Sequence, residues 1–241
     1  MSTAVASFTV ADSAIQILKN FAGIQNSVLL QPGKEQATVA EGKSLFALAT
    51  LSAPWPQETG IYDLNTFLGT LSLFNKPAIT FEKNVMSISS GGSKVKYRMS
   101  DPTTILTPPP NEPGNKLRND NLGVEFTLSA SALGQLNRSV SVLGLLSPTG
   151  EVAVTVADGV VTLRGLDEKN PSSHMYEYVV PDKDTVVVQP NFAKTISFKT
   201  KFIAMLLAGD YKISLSDRKY GFFQNTTEPV GYYIVGSGPT K

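Results

Sequence analysis

A proline-rich stretch divides this chain into two halves whose sequences repeat one pattern. Residues 101–121 read DPTTILTPPPNEPGNKLRNDN, and their five prolines exclude both a central strand and a continuous helix. On either side, FTVADSAIQILKN from Phe8 and FTLSASALGQLNR from Phe126 share Phe, Thr, Ser, Ala and Leu at an offset of 118. A weaker repeat aligns Phe67, Leu68 and Leu71 with Phe202, Ile203 and Leu206. This internal duplication predicts domains at 1–105 and 122–241, joined by a connector at 106–121.

Short alternating runs of apolar and polar residues make up most of both halves. They are separated by dipeptides that favour tight turns, namely Lys83-Asn84, Gly91-Gly92 and Asp158-Gly159, so the runs predict antiparallel strands. Four windows instead have the spacing of an amphipathic helix. They begin with Asp12 or Ser13 as a cap, at Asp63, at Ser129, and at Phe198, the last ending at Ala208. Each half thus combines two short helices with antiparallel sheet, which is an α+β class.

The residues that most enzymes use for catalysis are scarce. The 241 residues include no cysteine and a single histidine, His174, without a nucleophile motif. Glycine-rich phosphate loops do not occur in the sequence, and its carboxylate pairs lie in no metal-binding pattern. We therefore predict no catalytic residue, no cofactor and no metal site. The sequence also has no run of about 18 apolar residues and no signal-like N-terminus, so we expect neither membrane insertion nor secretion.

Charge is balanced overall but unevenly distributed. Twenty-one basic and twenty acidic residues give a net charge of +1, which by itself argues against binding to nucleic acid. The outer faces of the predicted helices nevertheless carry cationic and amide side chains without acidic neighbours: Lys19, Asn20, Arg138, Lys199 and Lys201. Such faces suit weak, sequence-independent contact with phosphates. Ordinary solvated helix faces are the alternative interpretation, and the sequence leaves both open.

One segment resembles a known family closely. Residues 61–75, IYDLNTFLGTLSLFN, resemble the second helix of the sliding clamps of T-even-type bacteriophages. Further similarity lies in LKNFAGIQNSVLLQPG from Leu18, in DPTTI from Asp101 and in AGDYKISL from Ala208, so the resemblance spans nearly the whole chain. It implies the DNA-clamp fold, with two similar domains of two helices packed on antiparallel sheet. It also implies that three subunits join head to tail into a closed homotrimeric ring.

The resemblance implies a function in DNA replication. Such a ring encircles double-stranded DNA without reading its sequence and tethers the DNA polymerase as a processivity factor. An ATP-dependent clamp loader places the ring on DNA, and late-transcription factors are a further class of partner. The implied location is the cytoplasm of the infected host bacterium. A structural virion or scaffold protein is the alternative function, because a duplicated β-rich chain without an active site also suits assembly.

The same resemblance assigns candidate sites. With the helices lining the hole, the five residues on the helix faces become candidates to face DNA. The strands at Lys94–Met99 and Met175–Val180 become the subunit contact, with Lys94, Tyr97, Tyr176 and Tyr178 as candidate interface residues. Candidates for a groove that binds partner tail peptides are Ile105, Leu106, Pro108, Tyr232, Tyr233 and Ile234. Two alternatives stay open: both strands are internal or merely exposed edges, and the apolar connector residues only fasten the connector.

Overall fold

Each half of the chain builds its own arrangement of helices and antiparallel strands. A computed structural model describes residues 7–108, 122–170, 172–187, 189 and 192–237. The chain divides into two compact units. Unit 1 comprises Met1–Glu41 and Ala47–Pro108, and unit 2 comprises Gly42–Phe46 and Pro109–Lys241. Most of the predicted connector, residues 109–121, lies outside the described part of the chain.

Unit 1 carries two helices and short sheets. In chain order its elements are α1 (Asp12–Ile24), β1 (Val28–Leu30), β2 (Gly33–Val39), β3 (Leu45–Trp55), β4 (Thr59–Ile61), α2 (Leu64–Ser72), β5 (Ala78–Glu82), β6 (Val85–Ser90) and β7 (Ser93–Arg98). Strands β1 and β4 pair antiparallel, and β5, β6 and β7 form a three-stranded antiparallel meander in that order. Strand β7 therefore lies at the edge of its sheet.

Unit 2 is built from larger sheets. Its elements are β8 (Leu122–Leu128), α3 (Ala130–Val142), β9 (Gly150–Ala157), β10 (Val160–Asp167), β11 (Tyr176–Val179), β12 (Thr185–Val187), β13 (Lys194–Lys199), α4 (Thr200–Ala204), β14 (Tyr211–Ser216), β15 (Tyr220–Asn225) and β16 (Val230–Val235). One sheet has the order β11-β10-β9-β13, and the other runs β12-β8-β14-β15-β16 within this unit. Strand β11 therefore lies at the edge of the first sheet.

The helices form where apolar residues recur at helical spacing. In α1 the residues Ala14, Ile17, Leu18, Phe21 and Ile24 are all buried, so one face of the helix is buried along its length. The predicted cap, Asp12 or Ser13, is wrong, because the helix already begins at Asp12. Ala11 occupies the cap position and makes no side-chain hydrogen bond there. None of the helices in the described ranges is long and apolar enough to cross a membrane.

The internal duplication is visible in the strand pairing. Phe8 forms an isolated antiparallel bridge with Ile79 in β5, and its repeat Phe126 pairs with Ile213 in β14. In both units the chain that precedes the first helix thus pairs with the strand that follows the second. The strand after the first helix also pairs with the strand before the second, β1 with β4 and β9 with β13. Both halves therefore share one topology, and β7 is the counterpart of β16.

The fourth helix is much shorter than predicted. The window from Phe198 to Ala208 contains the end of β13 and only the five residues of α4. In β13 apolar and polar residues alternate along the sequence KTISFK, and Ile196, Ser197 and Phe198 are all buried. After α4 the amides of Met205 and Leu206 bond to carbonyls three residues back, and Gly209 takes φ 148°. The sequence predicts a longer helix because apolar residues of a strand and of a short helix follow one another.

Candidate DNA-facing surface and subunit edges

The segment that most resembles the phage family is held by a hydrogen-bond network. Asp63 caps α2, because its carboxylate accepts the amide N–H of Thr66 at 2.9 Å and the hydroxyl of Thr66 at 2.8 Å. These bonds to Thr66 lower the pKa of Asp63 below its ordinary value. Asn26, just after α1, donates to Asp63 at 3.2 Å and accepts from the amide of Asn65 at 3.0 Å. Together these bonds fix the end of α1 against the start of α2.

The same network reaches the edge strand β7. The Tyr97 hydroxyl donates to the carbonyl of Asp63 at 3.0 Å, and its ring contacts Phe67 edge-on with centroids 5.4 Å apart. Burial raises the pKa of Tyr97, and the nearby charge of Asp63 adds to this effect. The phenol therefore stays neutral and keeps its proton for this bond. Tyr97 thus holds strand β7 against α2, and the other edge of β7 pairs with no strand in the part of the chain that the structure describes.

The exposed helix faces carry very little negative charge. Within the described residues the four helices contain three cations, Lys19, Arg138 and Lys201, and one acid, Asp12 in the first turn of α1. All three cations are exposed, and Asn20 is half-buried. Helix α2 contains no charged residue, and its exposed positions are Asn65, Thr66, Gly69 and Ser72. The faces are thus neutral to weakly cationic.

Lys199 differs from the other DNA-facing candidates. It ends β13 instead of lying on a helix, and its Nζ lies 2.6 Å from Oε1 of Glu151 on the neighbouring strand β9. The Glu151 side chain is only 7% exposed, and its Oε2 has no hydrogen-bond partner in the described part of the chain. A buried carboxylate with a single partner depends strongly on that partner. Lys201 has no such role, since its Nζ lies over the Phe202 ring at 4.9 Å from the centroid.

The interface candidates lie on two edge strands. Lys94 and Tyr97 are in β7, with Lys94 exposed and 3.7 Å from Glu82. Tyr176 and Tyr178 are half-buried in β11. Because each strand is last in its sheet, each has one side of its backbone without a strand partner among the described residues.

The groove candidates differ in accessibility. Ile105 is buried, while Leu106 and Pro108 are half-exposed. Tyr232, Tyr233 and Ile234 lie in β16 and are at most 1% exposed. The Tyr233 ring stacks on Phe222 at 4.4 Å, and the Tyr232 ring packs near Tyr211 at 6.3 Å. These three side chains stabilise unit 2, and only the two connector residues offer accessible surface.

Three features were not predicted from the sequence. The ion pair of Lys199 with Glu151 joins residues that are 48 positions apart in the sequence. Asp210 accepts the amide of Ala130 at 2.6 Å and so adds a distant cap to the start of α3. Lys96 and Arg98 are exposed on β7 beside Lys94, which makes this edge strongly cationic. Only the last feature had a signal in the sequence, the alternation of basic residues in KVKYR.

The fold is that of DNA clamps. PCNA from Thermococcus kodakaraensis matches with a TM-score of 0.66 at 13% identity, covering 96% of this chain and 99% of that one. PCNA of A. fulgidus bound to the C-terminal region of FEN-1 matches at 0.66 and 11% identity, covering 98% and 99%. The beta chain of DNA polymerase III from Streptococcus pneumoniae matches at 0.66 and 16% identity, covering 99% of this chain. This chain spans 66% of that beta chain's length.

Sequence comparison narrows the class. The sliding clamp of Escherichia phage RB69 is 30% identical over 207 residues, covering 83% of this chain and 84% of that one. The sliding clamp of Vibrio phage KVP40 is 29% identical over 206 residues, covering 84% and 88%. The chain belongs to the family of bacteriophage sliding clamps, as its resemblance predicted. No protein-family model matches the chain. These relatives give no support to the alternative of a virion or scaffold protein.

The pair formed by Lys199 and Glu151 leads to a stability prediction. Lys199→Met should lower the free energy of unfolding by about 1–3 kcal/mol, because it leaves a buried carboxylate unpaired. The matched change Lys201→Met, two residues further on, should alter it by less than about 0.5 kcal/mol. Urea denaturation followed by circular dichroism measures both. If Lys199→Met were as mild as Lys201→Met, the pair would have no structural role.

Proposed function

We propose that this sliding clamp works as one subunit of a closed homotrimeric ring around duplex DNA, as the processivity factor that tethers the DNA polymerase. The observation that carries the proposal is the presence of two different edge strands, β7 in unit 1 and β11 in unit 2, beside helices almost free of acidic residues. Two unlike edges join head to tail, and such contacts form rings when the rotation closes. Residues 1–105 and 122–241 are then the two clamp domains, joined by the connector at 106–121.

The duplication supports the head-to-tail joint. Strand β16, the counterpart of β7, is not left open at its end. The amide of Val235 donates to the carbonyl of Ser44, in the segment 42–46 of the same unit, at 2.9 Å. Strand β7 has no equivalent partner among the described residues of the chain. In the proposed ring a neighbouring copy supplies it, and Lys94, Tyr97, Tyr176 and Tyr178 lie at this joint.

The ring explains why weak attraction is sufficient for DNA. A closed ring holds duplex DNA topologically, so its lining needs only to avoid repulsion and to let phosphates pass. In the proposal Lys19, Asn20, Arg138 and Lys201 face the DNA. Lys199 contributes to the local potential but is largely neutralised by Glu151. The protein then performs no chemical turnover of its own, and it uses neither cofactor nor metal.

Partners are proposed by the same logic. The clamp binds the DNA polymerase and a clamp loader, which opens and places the ring with ATP, and it also serves late-transcription factors. These proteins act in the cytoplasm of the infected bacterium. A solved clamp bound to the C-terminal region of another protein supports binding of tail peptides. Ile105, Leu106 and Pro108, with Tyr232, Tyr233 and Ile234, stay the proposed groove residues, and of these Leu106 and Pro108 are accessible.

Ring closure is tested by mass and by topology. Light scattering across protein concentrations should give a trimer that dissociates on dilution. Loaded onto nicked circular DNA with a cognate loader and ATP, the protein should stay bound and slip off once the circle is linearised. Val179→Pro should give monomers without retention, because the amide of Val180 bonds to β10, the amide of Val179 therefore faces outward, and proline removes this donor from the edge strand. Monomeric wild-type protein, or retention that is indifferent to linearisation, would contradict the ring.

The proposed lining is tested by removing charge. Changing Lys19, Arg138 and Lys201 together to Gln should lower loading and polymerase stimulation on the order of tenfold at low salt, because electrostatic attraction raises association rates by such factors. The loss should shrink as salt rises. A control with the same change in net charge uses three exposed lysines outside the helices, Lys34, Lys83 and Lys169. Equal activity of both triple variants would exclude the helix faces as the lining.

The groove is tested with a peptide. Leu106 is half-exposed, so Leu106→Asp should lower the affinity for a polymerase tail peptide about tenfold or more without unfolding the domain. Calorimetric titration measures the affinity. Thr107→Asp, at the exposed neighbouring position, is the control and should bind as the wild type does. Wild-type affinity of the Leu106 variant would exclude this placement.

A further inference from the structure

The face of the β5-β6-β7 meander that points away from α2 carries a row of cations. The Tyr97 hydroxyl bonds to the carbonyl of Asp63, so this side chain lies on the α2 side of β7. Side chains alternate between the two faces of a strand, and the opposite face of β7 therefore presents Lys94, Lys96 and Arg98. All three are exposed, and they follow one another at a spacing of about 7 Å. Lys96 and Arg98 make no ion pair within the described residues.

Small hydroxyl side chains lie beside this row. Lys96 is opposite Ser87 in β6, and Ser87 is opposite Thr80 in β5. Glu82 is the single acid on this face of the three strands. Its Oε1 accepts from the Ser87 hydroxyl at 3.1 Å and lies 3.7 Å from Nζ of Lys94, so it does not neutralise the rest of the row. The three strands place no aromatic ring on this face, which therefore offers cations and hydroxyl groups but no platform for base stacking.

A polar groove of about 330 Å³ lies at the C-terminal end of the row. The chain leads into it directly after Arg98. The amide of Met99 donates to the carbonyl of Asn84 at 3.0 Å, and the amide of Ser100 donates to the carbonyl of Gly60 at 2.9 Å. Most of the side chains that line the groove are polar, and they come from Gln57, Glu58, Lys83, Asn84, Ser100 and Asp101. The row of cations and the groove therefore form one continuous surface on unit 1.

Two carboxylates in the groove determine which kind of chain suits this surface. Hydrogen bonds from the hydroxyl and the amide of Thr103 lower the pKa of Asp101 below its ordinary value, so this carboxylate stays ionised. Glu58 accepts a bond from Nε2 of Gln31 at 3.2 Å. Two carboxylates repel a phosphate backbone but attract a basic side chain. The combined surface thus suits a protein segment of mixed charge better than a nucleic acid.

We propose that this face of unit 1 binds an extended segment of a partner protein that carries acidic residues at alternate positions and a basic residue at one end. Alternate side chains of an extended chain project to one side at the same spacing as the cations of β7, so Lys96 and Arg98 each meet a carboxylate. The basic residue enters the groove towards Glu58 and Asp101. Binding does not depend on the proposed ring, because strand pairing uses the backbone edge of β7, whereas these side chains project from the face of its sheet.

Fluorescence anisotropy tests the row with two labelled peptides, in which three glutamates alternate with threonines and one arginine stands at the N-terminal or the C-terminal end. For the peptide that binds more tightly, Lys96→Gln combined with Arg98→Gln should raise the Kd about tenfold or more, because two charge-assisted bonds are lost. The matched control is Lys34→Gln combined with Lys169→Gln, which removes the same charge from exposed lysines elsewhere and should bind as the wild type does. Equal affinity of the row variant and the wild type overturns the proposal.

A double-mutant cycle tests the groove. Replacing the arginine of the peptide with glutamine should weaken binding to the wild type about fivefold, because the peptide loses its attraction to the groove carboxylates. The same replacement should have a much smaller effect on Glu58→Gln, in which one of these carboxylates is already neutral. Additive effects of the two changes would show that the arginine does not enter the groove.

Two further measurements fix the class of partner and the place of binding. Oligothymidylate and duplex DNA of about twelve nucleotides should bind more weakly than the peptide, because the face has no stacking platform. Tighter binding of either nucleic acid, with the loss confined to the row variant, would overturn the proposal. A benzophenone in place of the arginine should label Met99 in the wild-type protein, since this residue lines the groove. Labelling confined to unit 2 would exclude this face, and a monomeric wild type that still binds the peptide would leave the proposal standing without the ring.

Discussion

Two open strand edges determine how this fold can assemble. Backbone N–H and C=O groups at a sheet edge need either water or another strand, and proteins protect edges that must stay alone. The basic residues Lys94, Lys96 and Arg98 on β7 would repel a second β7 strand placed beside it. Strand β11 instead has one acid and an exposed valine. Self-pairing of β7 is therefore disfavoured, and in the proposed ring β7 pairs with β11 of a neighbouring copy. In the proposed ring the two edges belong to different units, so this preference gives a head-to-tail chain of subunits.

The helices of this fold carry almost no acidic residues. In the described residues only Asp12 places an acid on a helix, and α2 carries no charge at all. A protein with 21 basic and 20 acidic residues can still present a surface that does not repel phosphates, if its acids lie elsewhere. Strong phosphate contacts would instead fix the protein in place on DNA. A balanced net charge is thus compatible with a clamp, because a ring that encloses DNA does not need high electrostatic affinity for it.

Sequence patterns predicted the fold well where each element depends on its own residues. The duplication, α1 to α3 and most strands of the meanders follow from local periodicity, and the predicted start of the second helix at Asp63 lies one residue before its first helical residue, Leu64. The fourth helix was wrong in length because Ile196 and Phe198 alternate as a strand, and Phe202 and Ile203 continue the apolar run as a helix. Ala11 replaces the predicted cap of α1. Strands β2, β4, β8, β12 and β13 were not predicted as such.

Site residues were harder to predict because their roles depend on distant partners. Lys19, Arg138 and Lys201 are exposed as their helical positions indicated, but Lys199 is committed to Glu151 on another strand. The segment IYDLN makes both local contacts and contacts to distant residues. Asp63 bonds Thr66 three residues away, and Asn26 and Tyr97 reach it from 37 and 34 residues away. One short motif thereby ties two helices to an edge strand. Substitution within it would disturb several contacts at once, which is why the motif was a better guide to the family than any single charge on the helices.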